Sequence, residues 1–121
     1  MKTKTVKLSV DFFNEGSRLS DLKNYENAIK DFDRAIELDP KNALAYNNKG
    51  TSLTNVGKYE QAIECFNKAI TLEPDVAQPY NNKGITLSQI GQYQSSIFYF
   101  NKAIELEPNL AQAFNNKGVY P

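Results

Sequence analysis

The five residues Tyr46–Gly50, YNNKG, return as Tyr80–Gly84 and, with phenylalanine leading, as Phe114–Gly118, each time 34 positions later. Phe32–Ile36 (FDRAI) returns on the same period as Phe66–Ile70 and Phe100–Ile104 (both FNKAI), and Gly16 extends the glycine series backwards. A fixed period of this length describes an array of one supersecondary unit, because a single unit cannot bury its apolar face alone. In such an array each unit contacts only its neighbours and the core is distributed. Function is then written on a surface that repeats rather than in one deep pocket.

Within a unit, two helical patterns flank a short break. In the second unit, apolar or small residues fall at Tyr46, Gly50 and Leu53, then at Ala62, Ile63, Phe66, Ala69 and Ile70. Spacings of three and four predict two amphipathic helices. Gly57 and Gly91 follow the first helix of their units, where a left-handed residue caps it, and Lys23 holds that place in the first unit, predicting a weaker cap. Pro40, Pro74 and Pro108 end each second helix, since proline lacks the N–H and restricts the residue before it. A glycine in mid-helix costs about 1 kcal/mol relative to alanine. Its return implies close approach of the paired helix, with Ala28 and Ala62 as small partners and Ser96 in their place in the third unit, its hydroxyl bonding back one turn.

These residues resemble the tetratricopeptide repeat, a helix-turn-helix with an aromatic, a glycine, large residues, alanines and a closing proline at set places. The match reads Tyr46, Gly50, Leu53, Tyr59, Ala62, Phe66, Ala69 and Pro74, with Tyr80, Gly84, Leu87, Tyr93, Ser96, Phe100, Ala103 and Pro108 one unit on. The first unit supplies Phe12, Gly16, Leu19, Tyr25, Ala28, Phe32, Ala35 and Pro40. The resemblance implies an all-α, right-handed α-solenoid of antiparallel helix pairs. Residues 1–8 form an N-terminal extension, 9–42, 43–76 and 77–110 are three units, and 111–121 begin the first helix of a fourth. One departure is systematic: Lys49, Lys83 and Lys117, with Glu15 in the first unit, stand where the family usually has leucine. A lysine stem covers apolar surface while its amine reaches water, which predicts a thinner core at that layer.

In the family, first helices line the concave wall and ligands lie along it. Opposite the buried stripe of Tyr46, Gly50 and Leu53 run Leu44, Asn47, Asn48, Thr51, Thr54 and Asn55, and one unit on Gln78, Asn81, Asn82, Ile85, Ser88 and Gln89. This stripe is nearly uncharged and rich in carboxamides. One column is unbroken, Asn14, Asn48, Asn82 and Asn116, and a second holds Asn47, Asn81 and Asn115 with Phe13 in the first unit. A carboxamide both donates and accepts, so such a ladder suits the main chain of an extended, weakly charged peptide. It resembles the asparagine ladder with which a glycosyltransferase's repeat domain of this family holds peptide main chain. The candidate groove residues are therefore Asn14, Asn47, Asn48, Thr51, Asn81, Asn82, Asn115 and Asn116.

Family members that hold the acidic tails of heat-shock chaperones use a clamp of lysine, two asparagines, lysine and arginine. The corresponding residues are Phe13, Ser17, Asn48, Gln78 and Asn82, and one unit later Asn47, Thr51, Asn82, Gln112 and Asn116. Neither set has a cation to compensate a terminal carboxylate. The expectation is that chaperone acidic tails are not the partner.

The rest of the composition narrows the class. Acidic and basic residues number 14 each and histidine is absent, so the chain has neither the charge of a nucleic-acid binder nor the most versatile general base and metal ligand. No nucleophile–base arrangement stands out, and the expectation is no enzyme, no cofactor and no metal site. The single cysteine, Cys65, precludes an internal disulfide and is read as an inert, partly buried thiol. The basic start of the chain has no apolar run behind it and no stretch has the length of a membrane span, so a cytoplasmic protein without membrane contact is expected. Phe98 and Tyr99 crowd the third unit and are candidate contacts for another chain on the convex side or in an oligomer. Repeat arrays need a polar terminal helix; a fourth unit cut short at residues 111–121 suggests either a piece of a longer array or self-assembly through an open end.

Overall fold

The computed structural model describes residues 7–109, and the fourth-unit start with Asn115, Asn116 and Lys117 lies outside them. Six helices follow one another: α1 (Ser9–Asp21), α2 (Tyr25–Leu38), α3 (Ala43–Asn55), α4 (Tyr59–Leu72), α5 (Ala77–Gln89) and α6 (Tyr93–Leu106). They pair as α1·α2, α3·α4 and α5·α6, and each pair packs on the next through α2·α3 and α4·α5. The backbones of the odd helices also approach across units, α1 with α3 and α3 with α5, whereas among the described residues those of the even helices stay further apart. Contact along one layer and separation along the other curves an α-solenoid with α1, α3 and α5 on its inner side.

Local chemistry sets where each helix stops. The residues before the three prolines, Asp39, Glu73 and Glu107, have φ near −140° and ψ near 85°, the extended conformation that a following proline requires. Each donates its N–H to the alanine four residues back (Ala35, Ala69, Ala103). At the tighter turn inside each unit, Gly57 and Gly91 have φ of 83°, and Lys23 is forced to the same side at 64°. Asn42 accepts from Ala45 N at 3.1 Å at the start of α3, and the Asp11 carboxylate does the same for Leu8 N at 2.8 Å before α1.

The recurring glycine answers first to an aromatic ring, and at Gly16 to the Ala28 carbonyl as well, 3.2 Å from where a Cβ would lie. A Cβ on Gly50 would lie 2.6 Å from Cε1 of Phe66, one on Gly84 2.5 Å from Cε1 of Phe100, and one on Gly16 2.8 Å from Cε1 of Phe32. These rings are essentially inaccessible, as are Ala28, Ala62 and Ser96 behind them. Ser96 does not bond back along its own helix: its hydroxyl crosses to the paired helix and donates to Gly84 O at 2.8 Å. Hydroxyl pairs stitch neighbouring units, Ser20 with Ser52 at 3.3 Å and Thr54 with Thr86 at 2.9 Å.

The lysine layer is not a thinned core with amines in water. Lys83 is 9% exposed, and its ammonium donates to Asn67 Oδ1 (2.6 Å) and the Tyr99 hydroxyl (2.8 Å). Lys49 ion-pairs with Asp33, the counterpart of Asn67 one unit earlier, so each lysine ties its helix to the preceding outer helix. Burial, the largest single influence, works against the Lys49 charge, but the hydrogen bond to Asp33 and the attraction of Cys65, Asp33 and Tyr46 together outweigh it and hold the amine above its usual range. Cys65 is buried, and that burial pushes its thiol up, consistent with an inert group.

The first unit carries carboxylates in this layer. Lys7 bonds Glu15 at 2.9 Å and holds its carboxyl below the usual range. Asp31, 5% exposed, is pushed up by burial first and by the Glu15 charge second, with Arg34 at 3.7 Å compensating only in part.

Three stability effects follow. Gly84→Ala loses about 1–3 kcal/mol by overpacking, against the gain of about 1 kcal/mol usual in an exposed helix; urea denaturation measures it. Lys23→Gly gains about 0.5–1 kcal/mol, since glycine adopts the left-handed turn without a Cβ clash; a rise in urea midpoint checks it. Asp31 has a folded-state pKa above its unfolded value of 3.8, so its protonated form favours folding and that contribution is lost as pH rises through the folded pKa. Asp31→Asn therefore raises the melting temperature at pH 7, and the gain disappears below pH 3.8; melts at the two pH values compare them.

Candidate functional site

The inner helices face a common cavity of about 340 Å³. Ser17, Ser20 and Asp21 of α1, Asn47, Asn48 and Thr51 of α3, and Gln78, Asn81 and Asn82 of α5 form its walls, and the edge of Phe32 its floor. A second recess of about 180 Å³ continues along the same side between α3 and α5, where Thr51, Asn82, Ile85 and Gln89 meet. The helical period places these residues together: each group of three falls within about 100° of its helix, on one face.

The two asparagine columns play different parts. Asn47 and Asn81 are buried, at 4% and 3% exposure, while Asn48 and Asn82 are half-buried at the cavity wall. Asn82 Nδ2 donates to Asn47 Oδ1 across the unit boundary at 3.0 Å, with a longer contact to the Thr51 hydroxyl at 3.5 Å, and Asn47 Nδ2 reaches Asn48 Oδ1 at 3.5 Å. The carboxamides thus form a relay running back along the array. It ends at Asn48, because Phe13 stands where the next asparagine would be and its ring packs on Phe32 at 6.0 Å. A ring cannot accept, so the Asn48 N–H groups have no partner among the described residues. Asn14, the first member of the unbroken column, is exposed and not part of the cavity wall. Asn115 and Asn116 lie outside the described residues.

Among the described residues, two buried side-chain oxygens lack a hydrogen-bond partner, Ser17 Oγ and Asn81 Oδ1, and both belong to side chains of this cavity. An unsatisfied buried polar atom costs about 1–3 kcal/mol. The equivalent of Asn81 Oδ1 one unit earlier, Asn47 Oδ1, is satisfied by Asn82. Sequence reasoning passed over Ser20 and Asp21 as wall residues, and it met Ser17 only as a clamp position. The signal for them was their place one period before Thr54, Asn55 and Thr51.

On the outer side, Phe98 is 64% exposed and stands edge-on to Tyr99 at 5.1 Å. Tyr99 is engaged inside the fold, stacked at 6.4 Å on Tyr80 and bonded to Lys83. No group of three potential metal ligands occurs among the described residues, and no described helix is long and apolar enough to cross a membrane.

The sequence pattern described as tetratricopeptide repeat matches residues 43–76 and 77–110, together more than half of the chain, and a second, described as TPR repeat, matches 16–54. The chain belongs to the tetratricopeptide repeat family. A comparison with curated protein sequences found no match. Among solved structures, the Arabidopsis OM64 TPR domain superposes with a TM-score of 0.91 at 21% identity, covering 93% of each chain. The first TPR of Spaghetti (RPAP3), bound to the HSP90 peptide SRMEEVD, gives 0.89 at 20% identity, covering 93% of this chain and 89% of that one. The second TPR domain of human RPAP3, in complex with the HSP70 peptide SGPTIEEVD, gives 0.87 at 24% identity over 93% of each.

These tetratricopeptide repeat structures overturn the exclusion of chaperone acidic tails. That exclusion rested on a count of cations, and two structures of this fold hold such peptides. The physical flaw is in the premise. Neutral N–H and O–H donors also form charge-assisted bonds to a carboxylate, and four of the five clamp positions, Ser17, Asn48, Gln78 and Asn82, line one cavity here.

Proposed function

We propose that this chain is a protein-interaction module that holds an extended segment of a partner along its inner face through the carboxamides of Asn48 and Asn82. The observation that carries this reading is the cavity shared by three inner helices, walled mainly by hydroxyls and carboxamides, where the Asn48 N–H groups have no partner among the described residues. A peptide unit offers one N–H and one C=O at fixed spacing. Among the described residues, Ser17 Oγ at the cavity wall lacks such a partner. Thr51 supports Asn82 from behind at 3.5 Å. Carboxamides address main chain, so the module tolerates varied side chains, and acidic chaperone tails stand among the candidate ligands.

The test is fluorescence titration of the full chain with labelled SRMEEVD, labelled SGPTIEEVD and a random heptapeptide library. Replacing Asn48 and Asn82 together by alanine lowers affinity for every bound peptide by about tenfold or more, because the Asn48 N–H groups and the Asn82 carbonyl oxygen are lost as main-chain partners. The thermal transition stays cooperative. Affinity retained by the double variant would move the binding surface to the outer helices and Phe98.

A further inference from the structure

We infer that Asp21 sets the register of the bound segment by taking one cationic side chain, lysine or arginine, at the first-unit end of the groove. The inference rests on the groove reading above and deepens it by naming the chemistry of its ligand.

A ladder of repeated carboxamides has a defect as a recognition surface. Shifting a peptide by one unit exchanges Asn48 for Asn82, one wall carboxamide for another, so the carboxamides by themselves separate the registers only weakly. Something must break that translation. Of the residues walling the larger cavity, Asp21 alone is charged. Its counterparts are neutral, Asn55 one unit on and Gln89 two units on. Asn55 is moreover turned to its own helix, donating to Thr51 O at 2.9 Å. The hydroxyl column changes in the same direction, from Ser17 to Thr51 to the aliphatic Ile85. The groove is thus acidic at one end and apolar at the other.

Asp21 is available for this role. It is exposed, and it makes no ion pair or hydrogen bond among the described residues, where Glu15, Asp31 and Asp33 all do. The cations nearest in sequence, Arg18 and Lys23, are not part of the cavity wall. Asp21 is also the last residue of α1, where the negative end of the helix dipole adds to its own charge. A cationic side chain arriving there meets two negative sources and no competing cation from the wall. Main chain would still be held by Asn48 and Asn82, and Asp21 would choose which residue sits at the end.

A displayed library of random heptapeptides, selected against the full chain, tests the inference, with Asp21→Asn, Asp21→Lys and the double asparagine variant run beside it. Melting curves establish that each Asp21 variant is folded, as its exposure leads one to expect. Peptides selected by the wild type carry lysine or arginine at one aligned position. Asp21→Asn weakens them by up to about fivefold without changing affinity for the same peptides with that residue made alanine. Asp21→Lys selects aspartate or glutamate at the same position, and raising the salt concentration erases the difference between wild type and Asp21→Asn. Peptides that depend on the asparagines yet show no aligned charge, or an unchanged selection with Asp21→Lys, overturn the role of Asp21 and leave the groove standing. Failure to select any peptide overturns both.

Discussion

Three aromatic rings occupy the space that three missing side chains leave. Phe32, Phe66 and Phe100 lie against Gly16, Gly50 and Gly84 so closely that even a methyl group has no room. This contact sets the depth at which each inner helix sits on its outer partner. Because it is the same in all three units, the inner faces of α1, α3 and α5 come into line. The cavity is a consequence of that alignment: nine residues, three from each helix, reach a common space. The binding surface thus depends on a packing constraint that takes no part in binding.

Much of this was legible in one chain because repetition supplies its own alignment. The 34-residue period, the six helices, the proline stops and the buried glycine stripe all follow from spacing. Spacing states which way a side chain points, however, and not what it meets. Glycine announced a close neighbour, but whether an alanine or a phenylalanine ring pressed on it depended on helix crossing geometry. Asn47 and Asn48 are adjacent and both polar, yet a turn of about 100° per residue buries one between units and leaves the other at the wall. Lys83 looked like a solvent-reaching amine because its partners, Asn67 and Tyr99, lie on two other helices.

The substitutions among units have chemical logic of their own. At the layer of Glu15, Lys49 and Lys83 the facing residue changes in step: Asp31, Cys65 and Tyr99. Where a preceding outer helix exists, the cation ties to it through Asp33 or Asn67. In the first unit the polarity is reversed, and Lys7 from before α1 supplies the cation instead. Phe13 acts similarly in the asparagine relay, replacing a donor–acceptor by a ring and leaving Asn48 with unpaired N–H groups. Likeness of 20–24% to domains that hold peptides establishes the shared fold. Such substitutions give this copy of it a surface of its own.

The backbones of the inner helices approach one another from one unit to the next, whereas among the described residues those of the outer helices stay further apart. Mechanically this is a leaf spring with its continuous leaf on the inside. Bending that widens the outer gaps separates no close backbone approach there, and the hydroxyl pairs across the inner seam, in which either oxygen can donate, tolerate small rotations. Curvature is therefore the soft coordinate of the molecule and the spacing within each helix pair the stiff one. A long ligand can change the pitch of the array to suit its own rise per residue without disturbing the core of any unit.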